Sequence, residues 1–266
     1  MKTCINGATT MPYSLEEDIR CASRAGFEAV EIWKDKLDDY LRKSDVDRLR
    51  ETLAENEIAV AAICPFGGYF SCTSQAFAQA LDELDPYLEI AHRIGCEALL
   101  VCGEKPAGIS LEKIQKTTAE RMSTMAERAE AFQVKVALEW FCPLREAASI
   151  ISSSHQNAYM MLDTFHWYRG DGEIESIESI PASRLCLVHI NDCVDKPREA
   201  LSDSDRVYCG LGVIPLVQIL RILKDMDYSG YLSVELFREE YWAREATEIC
   251  NESMRTLRGV MQAASV

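Results

Sequence analysis

The chain is short of basic charge, of histidine and of long apolar runs. It carries 28 Lys and Arg against 43 Asp and Glu, a formal net charge of −15, and only 4 His in 266 residues. A polyanionic partner needs a surplus of cations, so this balance argues against nucleic acid. It argues equally against a repair endonuclease, which would need a multi-metal cluster and a basic groove. The longest weakly polar stretch, Ile58 to Phe70, is too short and too broken by Pro65, Gly67 and Gly68 to span a bilayer. The opening Met1-Lys2-Thr3-Cys4-Ile5-Asn6-Gly7 holds no apolar signal core. Cysteine is plentiful, at 11, but the number is odd, the spacing irregular, and no Cys-x-x-Cys pair occurs. Several thiols, such as Cys102 and Cys186, sit inside apolar runs and read as small hydrophobes. With neither a disulfide framework nor zinc-finger spacing, a cytoplasmic protein is expected. Linkers, charge blocks and low-complexity segments are also missing, so residues 1–266 read as one domain.

What is present is an eightfold alternation of strand and helix. Short apolar runs predict strands at Thr3–Asn6, Ala29–Trp33, Ala59–Cys64, Ala98–Cys102, Val134–Trp140, Tyr159–Thr164, Leu185–Asn191 and Tyr231–Leu236. Amphipathic segments predict helices at Leu15–Ala25, Asp45–Glu55, Gln75–Ile94, Leu111–Phe132, Arg145–Ser152, Ile174–Ile180, Ile214–Met226 and Arg238–Ala263. Gly26, Gly95 and Gly230 stand between a helix and the next strand, where a helix C-cap is expected. A doubly wound sheet would call for a Gly-rich phosphate loop after the first strand, which Asn6-Gly7-Ala8-Thr9-Thr10 does not supply. Eight βα units in this length fit an α/β protein with a (β/α)8 TIM barrel.

Four of the predicted strands end on a ligand-type residue: Glu139, Asp163, His189 and Glu235. Strand alternation puts Ala137 and Glu139 on one face, and likewise Tyr231, Ser233 and Glu235. If that face is the interior, the acids meet at the C-terminal rim, where barrel active sites form. Three carboxylates and one imidazole suit one divalent cation, such as Mn²⁺, Zn²⁺, Co²⁺ or Mg²⁺. The competing reading is a ring of rim salt bridges. An inward carboxylate without a counter-charge is costly, which favours the metal.

Other residues carry two readings each. His166, three beyond Asp163, is either a donor to a substrate oxygen or a hydrogen-bonded rim histidine. Asp192, three beyond His189, either orients a ligand or caps its own loop. Arg206 lies in a long loop from Asn191 to Val213. It can grip substrate oxygens, neutralise an excess carboxylate, or simply be solvated. Gly210-Leu211-Gly212 reads as a turn. Glu31 and Trp33 share an inward register with Asn6 nearby, and Phe66, Trp140 and Phe141 offer an apolar wall, though core packing explains most such aromatics. Tyr241-Trp242 offers a surface for a homo-oligomer, and helix docking explains it as well.

These motifs carry a resemblance. From Met1–Thr10 through Ala137-Leu138-Glu139, Leu162-Asp163-Thr164-Phe165-His166, His189-Ile190-Asn191-Asp192, Asp205-Arg206-Val207, Gly210-Leu211-Gly212 and Ser233–Tyr241, the chain resembles the sugar isomerase/epimerase superfamily of xylose-isomerase-like barrels. Within that superfamily it resembles the keto-inositol (inosose) isomerases. The resemblance implies that Glu139, Asp163, His189 and Glu235 bind one divalent metal. It further implies that Glu139 and Glu235 form the acid/base pair, and that His166 and Arg206 contact substrate oxygens. The implied reaction isomerises or epimerises a keto-inositol or ketose by α-proton abstraction through a metal-bound enediolate. Loss of a β-hydroxyl from the same species would make the protein a dehydratase instead, and a non-catalytic sugar-binding barrel is a third alternative. Two departures are visible. Only 23 residues lie between Glu139 and Asp163, so a short fifth helix is expected. Gly7 replaces a larger polar residue and is expected to enlarge the pocket.

Overall fold

The structure, a computed structural model, describes residues 1–103, 108–141, 143–170 and 172–266. Seven parallel strands follow in chain order: β1 (Lys2–Asn6), β2 (Ala29–Trp33), β3 (Ala59–Phe66), β4 (Ala98–Gly103), β5 (Lys135–Trp140), β6 (Ala158–Asp163) and β7 (Leu185–Ile190). Beyond β7, β8 (Asp192–Cys193) and β9 (Arg206–Val207) make a small antiparallel ribbon. Then β10 (Tyr231–Val234) pairs with β7 on one side and β1 on the other, closing the barrel. The helices are α1 (Leu15–Ala25), α2 (Lys34–Leu41), α3 (Val46–Glu55), α4 (Ser74–Ile94), α5 (Leu111–Glu130) and α6 (Leu144–Ser152). They continue with α7 (Thr164–Arg169), α8 (Ile174–Glu178), α9 (Leu216–Asp225), α10 (Glu239–Trp242) and α11 (Ala246–Ala264). None of the described helices is long and apolar enough to cross a membrane.

Strand alternation divides the core in two. Outward-facing Val30, Ile32, Leu99, Val136, Leu138, Leu162, Val188 and Leu232 join Leu15, Ile19, Leu84, Leu88, Met122, Leu220 and Leu257 of the helices in one continuous layer. Burying each such side chain contributes roughly 1.5–3 kcal/mol. The barrel interior is a second cluster with many small members: Cys4, Ala29, Ala62, Ala98 and Ala137, filled out by Leu100, Met161, Leu187 and Tyr231. Small side chains there leave room for larger polar ones nearer the mouth.

The local chemistry explains where elements begin and end. Ser14 and Glu17 form a reciprocal capping box at the start of α1, and Gly26 ends it at φ 85, a conformation glycine adopts without strain. Gly95 does the same for α4. Gly230 does not: α9 stops at Asp225, and a Cβ on Gly230 would lie 2.5 Å from the Tyr228 hydroxyl. That glycine is required by close approach rather than by a helix cap.

Three further expectations shift. Thr164 begins α7 instead of ending β6, because the Asp163 carboxylate accepts from the Phe165 and His166 amides and caps the helix. The expected Arg238–Ala263 helix is divided into α10 and α11. The unforeseen α2 is highly polar, but its Lys36 is buried, donating to Asp18 Oδ2 at 2.6 Å and to the Thr10 carbonyl at 2.8 Å. As expected, the helix after β5 is short, at nine residues. Cys142 lies outside the described residues, and the other ten cysteines are free thiols.

Candidate metal centre and active-site cavity

The four strand-end residues meet. Glu139 at the end of β5, Asp163 ending β6, His189 in β7 and Glu235 just past β10 are all buried, with one ligand atom from each within 4.8 Å of the others. His189 Nδ1 sits among them, 3.1 Å from Glu235 Oε2, 3.5 Å from Glu139 Oε1 and 3.7 Å from Asp163 Oδ2. That nitrogen is wholly buried and makes no hydrogen bond. A buried polar atom without a partner calls for an explanation. A divalent cation coordinated by three oxygens and this nitrogen supplies one, so the donor set fits the group.

The opposite ring nitrogen is fully engaged. His189 Nε2 lies 2.9 and 3.0 Å from the two oxygens of Glu31, and Ser233 Oγ donates to Glu31 Oε2 at 2.6 Å. Burial works against a charged imidazole, but Glu235 and Glu31 outweigh it and raise His189 well above its usual range. Burial pushes Glu235 up to about 7, against the pull of His189 and Arg206. Asn6 Nδ2 donates to Glu235 Oε1 at 3.2 Å, and the Cys102 thiol donates to Glu139 Oε2 at 3.1 Å.

Arg206 is the centre's second cation. It is 1% exposed, and Nη1 donates to Asp163 Oδ2 at 2.7 Å and to Glu235 Oε2 at 3.0 Å. Nε and Nη2 both reach Asp203 Oδ1, and the guanidinium lies over the rings of Phe165 and Phe237. Of the three readings open to it, the solvated arginine is the one the structure overturns: Arg206 pairs with Asp163 and Glu235 and also lines the cavity over these groups. It is neither solvated nor free to swing. Burial would raise Asp163, but Arg206 and His166 hold that carboxyl well below its usual value.

His166 lies on α7 facing the same space. Arg206 has no lone pair to offer, so the contact of its Nη2 with His166 Nε2 at 3.2 Å makes Nε2 the acceptor and leaves the ring proton on Nδ1. Burial lowers the His166 pKa, with Arg206 acting the same way against Asp163.

A cavity of about 620 Å³ opens over these groups, lined by Cys64, Cys102, Glu139, His166, Arg206 and Glu235, with Arg169 and Asp203 toward its mouth. Its apolar surface comes from Trp33, Phe141 and Phe237. Phe66 and Trp140, expected in that wall, instead join the outer core, against Tyr87 and Phe70. Asp192 is the loop cap of its two readings, accepting from the amides of Cys193, Gly210, Gly212 and Ile214. Gly212 is a glycine because a Cβ would stand 2.1 Å from the Cys193 carbonyl oxygen. Asn191, not Asp192, reaches a candidate ligand, with Nδ2 3.4 Å from Asp163 Oδ1. Tyr241 stacks on Tyr208, and Trp242 Nε1 donates to the Ala8 carbonyl, so both dock within the chain.

Gly7 departs from expectation in an instructive way. It does not line the cavity; a Cβ there would lie 3.0 Å from Trp33 Cβ and 3.2 Å from Trp33 N. The glycine lets β2 come close enough for Trp33 to line the cavity wall. Gly7→Ala is expected to destabilise by about 1–3 kcal/mol through overpacking and to displace the indole. Thermal melts and KM read both effects. A KM unchanged while the melting point falls would separate the glycine from the cavity.

Fold and site together define a TIM barrel with a candidate single-cation ligand set at the C-terminal ends of its strands. Residues 19–259 match the xylose isomerase-like TIM barrel family, and the chain belongs to that family. It is 31% identical over 262 residues to an inosose isomerase of Halalkalibacterium halodurans, covering 93% of this chain and 92% of that one. It is 30% identical over 270 residues to the inosose isomerase of Bacillus subtilis, with 96% of each covered. A crystal structure of the IOLI protein with a bound zinc atom matches at a TM-score of 0.93 and 28% identity, covering 100% of this chain and 98% of that one. More distantly, the chain is 23% identical over 253 residues to a 3-dehydroshikimate dehydratase of Pseudomonas aeruginosa, covering 92% of this chain but 39% of that protein. Full-length likeness to isomerases supports an isomerase.

Proposed function

We propose that the barrel mouth is the active site of a divalent-metal-dependent isomerase or epimerase acting on a keto-inositol or a ketose. One observation carries the reading: the buried, unpartnered His189 Nδ1 faces carboxylates from three other parts of the barrel, beneath a cavity of about 620 Å³. Glu139, Asp163, His189 and Glu235 would hold the cation, which when bound supplies Lewis-acid stabilisation of negative charge developing on a carbonyl oxygen.

The remaining chemistry belongs to the chain. Glu139 and Glu235 both line the cavity, so a substrate ring seated over them meets two carboxylates. One takes the α-proton, and the other returns a proton to the neighbouring carbon or the opposite face. The Cys102 thiol and the Asn6 amide orient these carboxylates. His166 lines the cavity beside Glu139 and Arg206, where its ring meets a substrate oxygen. Arg206 holds Asp163 and Glu235 in place and offers its cavity-lining edge to the substrate. Trp33 and Phe237, edge to face at 5.8 Å, give an apolar surface for the C–H face of a polyol ring.

The test is incubation of metal-loaded protein with a keto-inositol and several ketoses in D₂O, followed by NMR. Deuterium at the α-carbon without loss of water is the expected result. An enone absorbance would instead support the second reading, dehydration of the same keto sugar or keto-inositol. That reading is favoured by one observation, the 23% identity to a 3-dehydroshikimate dehydratase over 92% of this chain.

Metal uptake has a signed pH dependence. His189 is raised and Glu235 lies at about 7, so near neutrality both hold protons that a cation displaces. The metal-free site binds more protons than the loaded one, so affinity rises with pH between roughly 6 and 8. Calorimetry in buffers of different ionisation enthalpy is expected to show proton release; none would contradict this assignment of charge.

A further inference from the structure

We infer that Glu31, held by Ser233, is the positioning residue that decides which nitrogen of His189 faces the metal; the inference rests on the metal-dependent reading above. Glu31 belongs to β2, and His189 lies across the barrel on β7, 158 positions further along the sequence. Ser233 is the register partner of His189 on β10, and Cys4 of β1 lies beside Ser233.

A buried carboxylate in an interior made chiefly of Ala, Cys and Leu is costly unless fully partnered, and Leu or Met would fill the space without that cost. Glu31 is fully partnered, by His189 Nε2 and by the Ser233 hydroxyl. A carboxylate only accepts, so Nε2 carries a ring proton in either charge state, and once a cation displaces the proton on Nδ1 the lone pair there is free to coordinate.

The choice of tautomer is contested. On the other side of the ring stand three carboxylates, each of which would attract a proton onto Nδ1. A proton there would block coordination. Glu31 counters that pull with both its oxygens on Nε2, as carboxylate partners of metal-binding histidines do. Without Glu31, the Nδ1–H form becomes the favoured neutral ring and competes with the metal.

The test begins with zinc titration of the metal-stripped parent against a chromogenic chelator. Glu31→Leu is expected to weaken zinc binding by about 10–100-fold. Glu31→Gln is expected to recover most of that loss, because its amide oxygen still accepts from Nε2–H. Tight zinc binding by Glu31→Leu would overturn the inference.

Ring nitrogen NMR of the ¹⁵N-histidine-labelled, zinc-loaded parent gives a direct reading, since the chain has only 4 His. A protonated Nε2 and a zinc-shifted Nδ1 at His189 are expected, and zinc on Nε2 would overturn the inference without any variant. If Glu31→Leu does not fold, Ser233→Ala replaces it, with a smaller loss in the same direction expected and no loss counting against the proposal. A folded parent that takes up no zinc or manganese would sink the metal-dependent reading itself. That outcome is distinct from one in which metal binds and Glu31 is irrelevant.

Discussion

Glu139→Gln and Glu235→Gln are each expected to lower turnover by about 10²–10⁴-fold, the range for loss of a positioned acid or base. Glutamine keeps the shape and an oxygen donor at each position but cannot take or return a proton. Both residues are also candidate ligands, so turnover must be measured at metal concentrations that saturate each variant. Solvent-deuterium exchange then separates the two roles. A variant that lacks the first base loses exchange of the α-proton, whereas one that lacks only the returning acid retains some exchange while losing product. The double variant is expected to be little worse than the poorer single one, because the residues act as a unit. If both variants fold, bind metal and turn over as the parent does, the barrel is not catalytic through these residues. A sugar-binding role would then be the better account.

Arg206→Met is expected to give the largest loss of stability, about 3–5 kcal/mol in metal-free protein. The reason is the company Arg206 leaves behind. Asp163 and Glu235 are buried to within a few per cent of full enclosure, and each accepts a hydrogen bond from Nη1. Methionine fills much of the volume between Phe165 and Phe237 but supplies neither charge nor donors. A divalent cation would supply the charge, so the loss is expected to shrink when zinc or manganese is added before melting. At roughly 2–4 °C per kcal/mol for a domain near this size, the difference between chelated and metal-loaded melts is easily read. An equal loss in both conditions would show that the cation and Arg206 do not share the same carboxylates.

How much of this could be read from the chain depended on the range over which each feature is determined. Strand alternation is local: Ala137 and Glu139 must share a face two residues apart, as must Ser233 and Glu235. The convergence of the four residues was therefore legible once eight strands were counted. Helix boundaries followed from caps such as Ser14 with Glu17, and failed where a side chain was committed elsewhere. Asp163 illustrates this, since the same carboxylate that ends β6 also caps α7 and makes Thr164 helical. Phe66 and Trp140 were misplaced for a related reason. Alternation distinguishes two faces, but it does not say how far along a strand the cavity begins.

The sequence by itself determined the barrel and the four residues that converge at its mouth, because periodicity and strand-end position are properties of neighbours in the chain. Only the tertiary structure decided which partners those residues meet. Arg206 neutralises Asp163 from 43 positions away, and Glu31 reaches His189 from 158 positions away. Gly7 turned out to make room for Trp33 and not to widen the cavity. Such contacts are set by closure of the barrel, which brings inward side chains from distant strands into one low-dielectric interior. There, an unpaired charge is too costly to leave unanswered.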